Sequence, residues 1–156
     1  MFKVRVVAVG KIKEEYYSKA VKEYVKRSGR YAEVKVIEVK EENFCAEPNE
    51  KERLNILEKE GEAILKEVKG KVYALAIEGK KISSDGLKDI IKKSKDAGEG
   101  ITFVIGGSYG LADKVKRAAT PISFSDMTFP HTLFRVMLTE QIYRAFNIME
   151  GGKYHK

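Results

Sequence analysis

Side chains suited to proton and phosphate chemistry gather toward the C-terminus: His131, Arg144, Lys153, Tyr154, His155 and Lys156. Histidine is the side chain that ordinarily changes charge near neutrality, so either histidine is a candidate proton carrier. The closing stretch Glu150-Gly151-Gly152-Lys153-Tyr154-His155-Lys156 joins a flexible glycine hinge to cationic, aromatic and titratable groups. Docked, such a tail neutralises phosphate and stacks on a base; undocked, it frays. For His131, just ahead of a helical segment, a general base, an RNA contact and simple helix-entry packing all remain open.

A second constellation lies upstream. The apolar run Ile101 to Ile105 leads directly into Gly106-Gly107-Ser108-Tyr109-Gly110-Leu111. In open α/β sheets, ligands bind beyond the carboxyl ends of the strands. Glycines let the backbone approach a ligand closely and leave amides free to bond its polar edges; a tight strand-to-helix turn is the plainer alternative. No Gly-Lys-Ser/Thr follows, so the loop is not a P-loop. The dinucleotide fingerprint would follow the first strand, where Gly10 is succeeded by Lys11 and Ile12. A nucleotide enzyme of either phosphate-binding type is disfavoured. Further on, Ile122-Ser123-Phe124-Ser125-Asp126-Met127-Thr128-Phe129-Pro130-His131 is a short β-like run followed by a polar and aromatic loop. Such a loop can hold a flat aromatic ligand between apolar side chains, or be merely buried.

The elements that position these loops follow from periodicity. Val4, Val6, Val7, Ala8 and Val9 form a run apolar on both faces, which predicts a buried parallel strand. Tyr17, Ala20, Val21, Tyr24 and Val25 fall at helical spacing. Val34, Val36, Ile37 and Val39 mark a second strand, and Asn49 with Glu52 resembles a capping pair. That pair opens a helix whose predicted stripe is Leu54, Leu57, Gly61, Ile64, Leu65 and Val68. A third strand, Val72 to Ile77, is expected to stop at Gly79. Ser83, Ser84 and Asp85 then cap a helix carrying Leu87, Ile90 and Ile91, closed by Gly98 and Gly100 before the strand Ile101 to Ile105. Strands alternating with helical crossovers require parallel pairing, so the fold class is α/β, a three-layer sandwich over one domain, residues 1–156. The last helix, Thr132 to Asn147, carries Leu133, Phe134, Val136, Met137, Leu138, Ile142, Ala145 and Phe146 on more than one stripe. Burial on two sides predicts either a homodimer interface or a central core helix.

Composition bounds the function. Thirty basic against 23 acidic residues give +7, favouring a polyanionic partner, although 34% charged residues also suit surface ion-pair networks. The excess sits at the ends: residues 1–40 carry +6, residues 41–111 carry −2 and residues 112–156 carry +3. Cys45 is the single cysteine, so no internal disulfide forms and a closed zinc site is not furnished. Its acidic surround disfavours the thiolate, so it reads as structural. No signal-peptide core or membrane-length apolar run is found, and a soluble cytoplasmic protein with no membrane partner is expected.

Taken in order, Gly106 to Leu111, Ser125 to His131, Glu140-Gln141-Ile142-Tyr143-Arg144-Ala145 and terminal Tyr154-His155-Lys156 resemble the RlmH family of SPOUT methyltransferases. The likeness extends to Val7-Ala8-Val9-Gly10-Lys11 and Glu60-Gly61, and so spans essentially the whole chain. It implies a homodimer whose C-terminal part threads a trefoil knot, a topology that the general avoidance of knots would have excluded. It also implies methylation of N3 of a pseudouridine in 23S ribosomal RNA of the large subunit, in the assembled ribosome, with S-adenosylmethionine as cofactor. By position, Leu75, Gly106, Phe124, Ser125, Asp126, Met127, Thr128 and Phe129 match the cofactor pocket. Arg144, Tyr154 and His155 match catalytic positions, and His131, Lys153 and Lys156 match positions facing RNA. Lys156 stands where some relatives carry Arg, which gives up bidentate phosphate pairing.

The chemistry expected is in-line attack of N3 on a methyl carbon about 3 Å away with loss of the imino proton, and it requires no metal. His155 is a candidate base; alternatively a basic surround stabilises the deprotonated nucleobase. Two competing readings are a transfer RNA methyltransferase of the same fold and a non-catalytic RNA-binding or ribosome-assembly module.

Overall fold

The structure, a computed structural model, describes residues 1–42 and 46–156. Cys45 lies outside them. The strands are β1 Lys3–Val9, β2 Glu33–Val39, β3 Lys71–Lys81, β4 Ile101–Ile105 and β5 Thr120–Ser123, and the helices are α1 Glu15–Ser28, α2 Glu50–Glu67, α3 Ser84–Asp96, α4 Asp113–Arg117 and α5 His131–Met149. All strand pairs are parallel, in the order β2-β1-β4-β3-β5.

Strand alternation divides the core into two layers. Val4, Val6 and Ala8 of β1 join Phe103 and Ile105 of β4 beneath Leu87, Ile91, Leu138, Ile142 and Phe146, contributed by α3 and α5. Val7, Val9, Ala74 and Val104 face the other way, onto Ile64 of α2 and Val115 of α4. A strand buried on both faces is what a β-branched run without polar alternation encodes.

The capping pair is present: Glu52 N donates to Asn49 Oδ1 at 2.9 Å, and Asn49 N to Glu52 Oε1 at 3.3 Å. Of the predicted α2 stripe, Gly61 and Ile64 are buried and Leu57, Leu65 and Val68 pack on the core, but Leu54 is 63% exposed, and Ile56 and Glu60 complete the buried face. At about 100° per residue, Leu54 lies roughly a quarter-turn off that face. Ser83 caps α3, accepting from Gly86 N at 3.0 Å.

Two further differences bear on the site. Strand β3 does not stop at Gly79 but runs to Lys81, because β5 pairs along it with a register shift between Leu75 and Lys80. Gly79 permits this crossing, since a Cβ there would stand 2.6 Å from Ile122 N. The short helix α4 was not anticipated. Helix α5 packs against α1 and α3, burying Arg135, Leu138, Thr139, Ile142, Ala145 and Phe146. Its second stripe is half-buried within the chain rather than exposed, because Phe134 packs on Phe124 and Phe129 at ring-centroid distances of 5.1 and 6.0 Å. Among the described residues, no helix is long and apolar enough to cross a membrane.

Candidate active site

A cavity of about 250 Å³ opens where β4 and β5 end and where β3 leaves β4 and shifts register after Leu75, walled by Leu75, Ile105, Leu111, Phe124, Phe129 and Phe134. Wider hollows of about 540 and 570 Å³ lie at the opposite, amino ends of the strands. Position and chemistry decide between them: ligands settle at carboxyl ends, in apolar walls carrying a few polar groups. Leu75, Gly106, Phe124, Ser125, Met127, Thr128 and Phe129 line the cavity, as does His131. Asp126 does not; its exposed carboxylate is drawn outward into an ion pair with Lys81.

The walls are held by local hydrogen bonds. Ser123 Oγ donates to Ser125 O at 2.9 Å, and Met127 N donates to Ser125 Oγ at 3.0 Å, folding the segment into a hydroxyl-closed turn. The glycine loop closes on itself, with Gly110 N donating to Gly107 O at 3.1 Å. A Cβ on Gly106 would stand 2.4 Å from Gly110 O, so this residue must be glycine for the loop to close at all. At the rim, Lys116 pairs with Glu78 at 2.8 Å and holds that carboxyl below its usual range.

The tail docks back on α5, and Gly151-Gly152 is a fixed turn rather than the flexible hinge expected. Gly151 N donates to Ile148 O and Gly152 N to Asn147 O, while Asn147 Oδ1 accepts from Tyr154 N at 3.1 Å. Arg144 organises the cluster: Nε donates to Glu140 Oε1 at 2.7 Å, Nη1 lies 3.0 Å from His155 Nδ1, and the guanidinium lies over the Tyr154 ring, 4.6 Å from its centroid. The hydrogen bond to Glu140 raises the Arg144 pKa further. Burial, then the Glu140 charge, raises that of Tyr154, so its phenol stays protonated. Lys153 and Lys156 are exposed.

Arg144, Tyr154 and His155, which the resemblance matches to catalytic positions, meet in one cluster, but not beside the cavity. His131 and Phe134 line the cavity, whereas Arg144 and Asn147 hold the tail 13 residues farther along α5. At about 1.5 Å per residue that separation is about 20 Å.

The family model described as "Predicted SPOUT methyltransferase" matches residues 2–155. The chain belongs to the SPOUT methyltransferase family. It is 47% identical over its full length, and that of its relative, to the ribosomal RNA large subunit methyltransferase H of Oenococcus oeni. It is 46% identical to the protein of that name from Clostridium tetani and 47% to that from Clostridium botulinum, each match covering 98% of this chain and 99% of the relative.

Several residues that brace this SPOUT site were not singled out by sequence reasoning for what they do. Arg135, 1% exposed, donates through Nη1 to Glu38 at 2.7 Å and through Nη2 to Val9 O and Gly10 O at 3.3 and 3.1 Å, tying α5 to the ends of β1 and β2. Burial lowers its pKa, and Glu38 opposes that. Glu60, 4% exposed, accepts from Glu42 N at 3.1 Å, and Ser108 Oγ donates to Glu41 at 3.2 Å, bracing the glycine loop from behind. An arginine inside an apolar helix is the one visible signal for the first; the second depends on distant segments meeting, which no local pattern encodes.

Proposed function

We propose that this protein transfers a methyl group from S-adenosylmethionine to N3 of a pseudouridine in 23S ribosomal RNA, in the cytoplasm, as a knotted homodimer. What carries the reading is the cavity at the carboxyl ends of β4 and β5, in a chain that matches ribosomal RNA large subunit methyltransferases H from end to end. The residues present fit the cofactor: apolar and aromatic walls suit an adenine ring, and backbone from Gly106, Gly107 and Gly110 offers polar groups at close range. Leu75, Gly106, Phe124, Ser125, Met127, Thr128 and Phe129 would hold it, with Asp126 contributing its fold rather than its carboxylate. The cofactor supplies a methyl group on an activated sulfonium.

This chain's residues supply orientation and charge. A guanidinium can only donate, so Nδ1 of His155 accepts from Arg144 and the neutral ring carries its proton on Nε2. His155 is then a donor to a nucleobase oxygen, and Arg144 and the tail lysines stabilise the negative charge left when N3 loses its proton. This favours the electrostatic role over His155 acting as base. His131, Lys153 and Lys156 face RNA in this reading.

The tail cluster and the cavity, about 20 Å apart along α5, form one site only if a partner's tail reaches this protomer's cavity. Exposed apolar side chains at the cavity, Ile77 (50%) and Met127 (69%), are surface such a partner would cover. The β5 strand pairing at the sheet edge while α5 returns to pack on α1 and α3 is compatible with the trefoil knot of the family.

Two measurements test the proposal. Calorimetric titration with S-adenosylmethionine should give saturable heat, which a pure RNA-binding module would not. With labelled cofactor, purified ribosomes should accept methyl groups and bulk transfer RNA should not; the reverse pattern identifies a transfer RNA enzyme.

A further inference from the structure

A groove of about 520 Å³ runs beside α1, separate from the cavity, lined by the apolar side chains of Ile12, Val21, Val25 and Val36 and by the exposed lysines Lys11, Lys22 and Lys26. Ser18, Lys22 and Lys26 recur every four residues and so share one face of α1, and Lys11 follows the end of β1. The two lysines are like charges at i and i+4, an arrangement that destabilises an isolated helix. Elsewhere on α1 such spacing is used attractively: Glu15 pairs with Lys19 at 3.1 Å and Glu23 with Arg27 at 2.8 Å. Among the described residues, Lys11, Lys22 and Lys26 have no ion-pair partner.

The carboxylate lining the groove, Glu38, is already engaged by buried Arg135, which leaves the three lysines as its net charge. Arg135 also fixes the groove relative to the cavity. It lines the groove, while His131, one turn earlier on α5 and about 6 Å along its axis, lines the cavity.

We propose that this groove binds the sugar-phosphate backbone of the RNA substrate, with Lys11, Lys22 and Lys26 as phosphate contacts next to the methyl-transfer site. The inference rests on the proposed RNA methyltransferase function and assigns to that reaction a binding surface on α1. Phosphate contacts position a substrate without reading sequence, and each one released shows as salt dependence.

The test uses the full-length protein and ribosomes from a strain lacking the modification, with KM measured across a KCl series. The Lys22→Ala/Lys26→Ala double variant is expected to reduce the slope of log KM against log salt by roughly 1.4 to 1.8, about 0.7 to 0.9 per phosphate lost. Its kcat at saturating ribosomes and its S-adenosylmethionine affinity should stay at wild-type values. The control is Lys59→Ala/Lys66→Ala, which removes the same charge from exposed positions of α2, on the opposite layer. An unchanged slope in the first variant, or an equal fall in the control, overturns the groove assignment while methyl transfer by the wild type leaves the proposed function standing. No transfer to ribosomes by the wild type overturns both.

Discussion

At Gly106 and Glu60, single atoms set the shape of the site. Because a Cβ at position 106 meets backbone rather than a movable side chain, Gly106→Ala alone should displace the loop. Calorimetry should show S-adenosylmethionine affinity reduced at least tenfold, equivalent to about 1.4 kcal/mol, with the protein still folded by circular dichroism. Glu60 gives a pH signature. Burial, followed by the charges of Glu41 and Glu42, raises its pKa in the folded state, against the amide hydrogen bond from Glu42. A raised acid binds protons more tightly folded than unfolded, so its stability contribution is full below the ordinary carboxylate range and is lost as pH rises through the folded pKa. Glu60→Gln keeps an acceptor for Glu42 N and removes the buried charge. It should raise Tm at pH 7.5, and the gain should vanish as pH falls below the ordinary carboxylate range. A thermal melt series across that range checks it.

In the proposed mechanism, the element that matters most is α5 with the tail that folds back on it. Tyr154 to Lys156 contribute one half-buried ring against Tyr143 and little else to the core. Deleting them should leave folding and S-adenosylmethionine affinity close to wild type while lowering kcat by about 10² to 10³, the scale of losing preorganised charge stabilisation. Asn147→Ala, which removes the acceptor for Tyr154 N, should lose part of that rate with the tail still present. Single-turnover kinetics on ribosomes separates these outcomes from a binding defect. Elements with strong local signals were legible in the sequence: the doubly apolar β1, the Asn49 and Glu52 cap, and the strand leading into Gly106. The extension of β3 past Gly79 and the short α4 were not, because the first depends on pairing with a strand 40 residues away and the second buries little beyond Val115. The glycine loop that lines the cavity was legible from residue types and its place after a strand. The docking of the tail was invisible, because it depends on the turn at Gly151-Gly152 and the Asn147 contact that fold it back onto α5.

For the whole molecule, the separation of tail from cavity makes oligomeric state a functional question. In solution the protein should be a dimer at micromolar concentration by light scattering. Heterodimers of one Gly106→Ala subunit with one tail-deleted subunit should retain one working site, because the intact tail and the intact cavity then come from opposite subunits. If both must come from the same subunit, that heterodimer has none. The excess positive charge of the chain is greatest in residues 1–40, which include α1, whereas the walls of the cavity are largely apolar.

The most direct test of the central claim is nucleotide-resolved mass spectrometry of ribosomal RNA after incubating unmodified ribosomes with the protein and methyl-labelled S-adenosylmethionine. The expected result is one labelled pseudouridine in 23S RNA, methylated at N3. Label at another atom, in another RNA, or nowhere would contradict it.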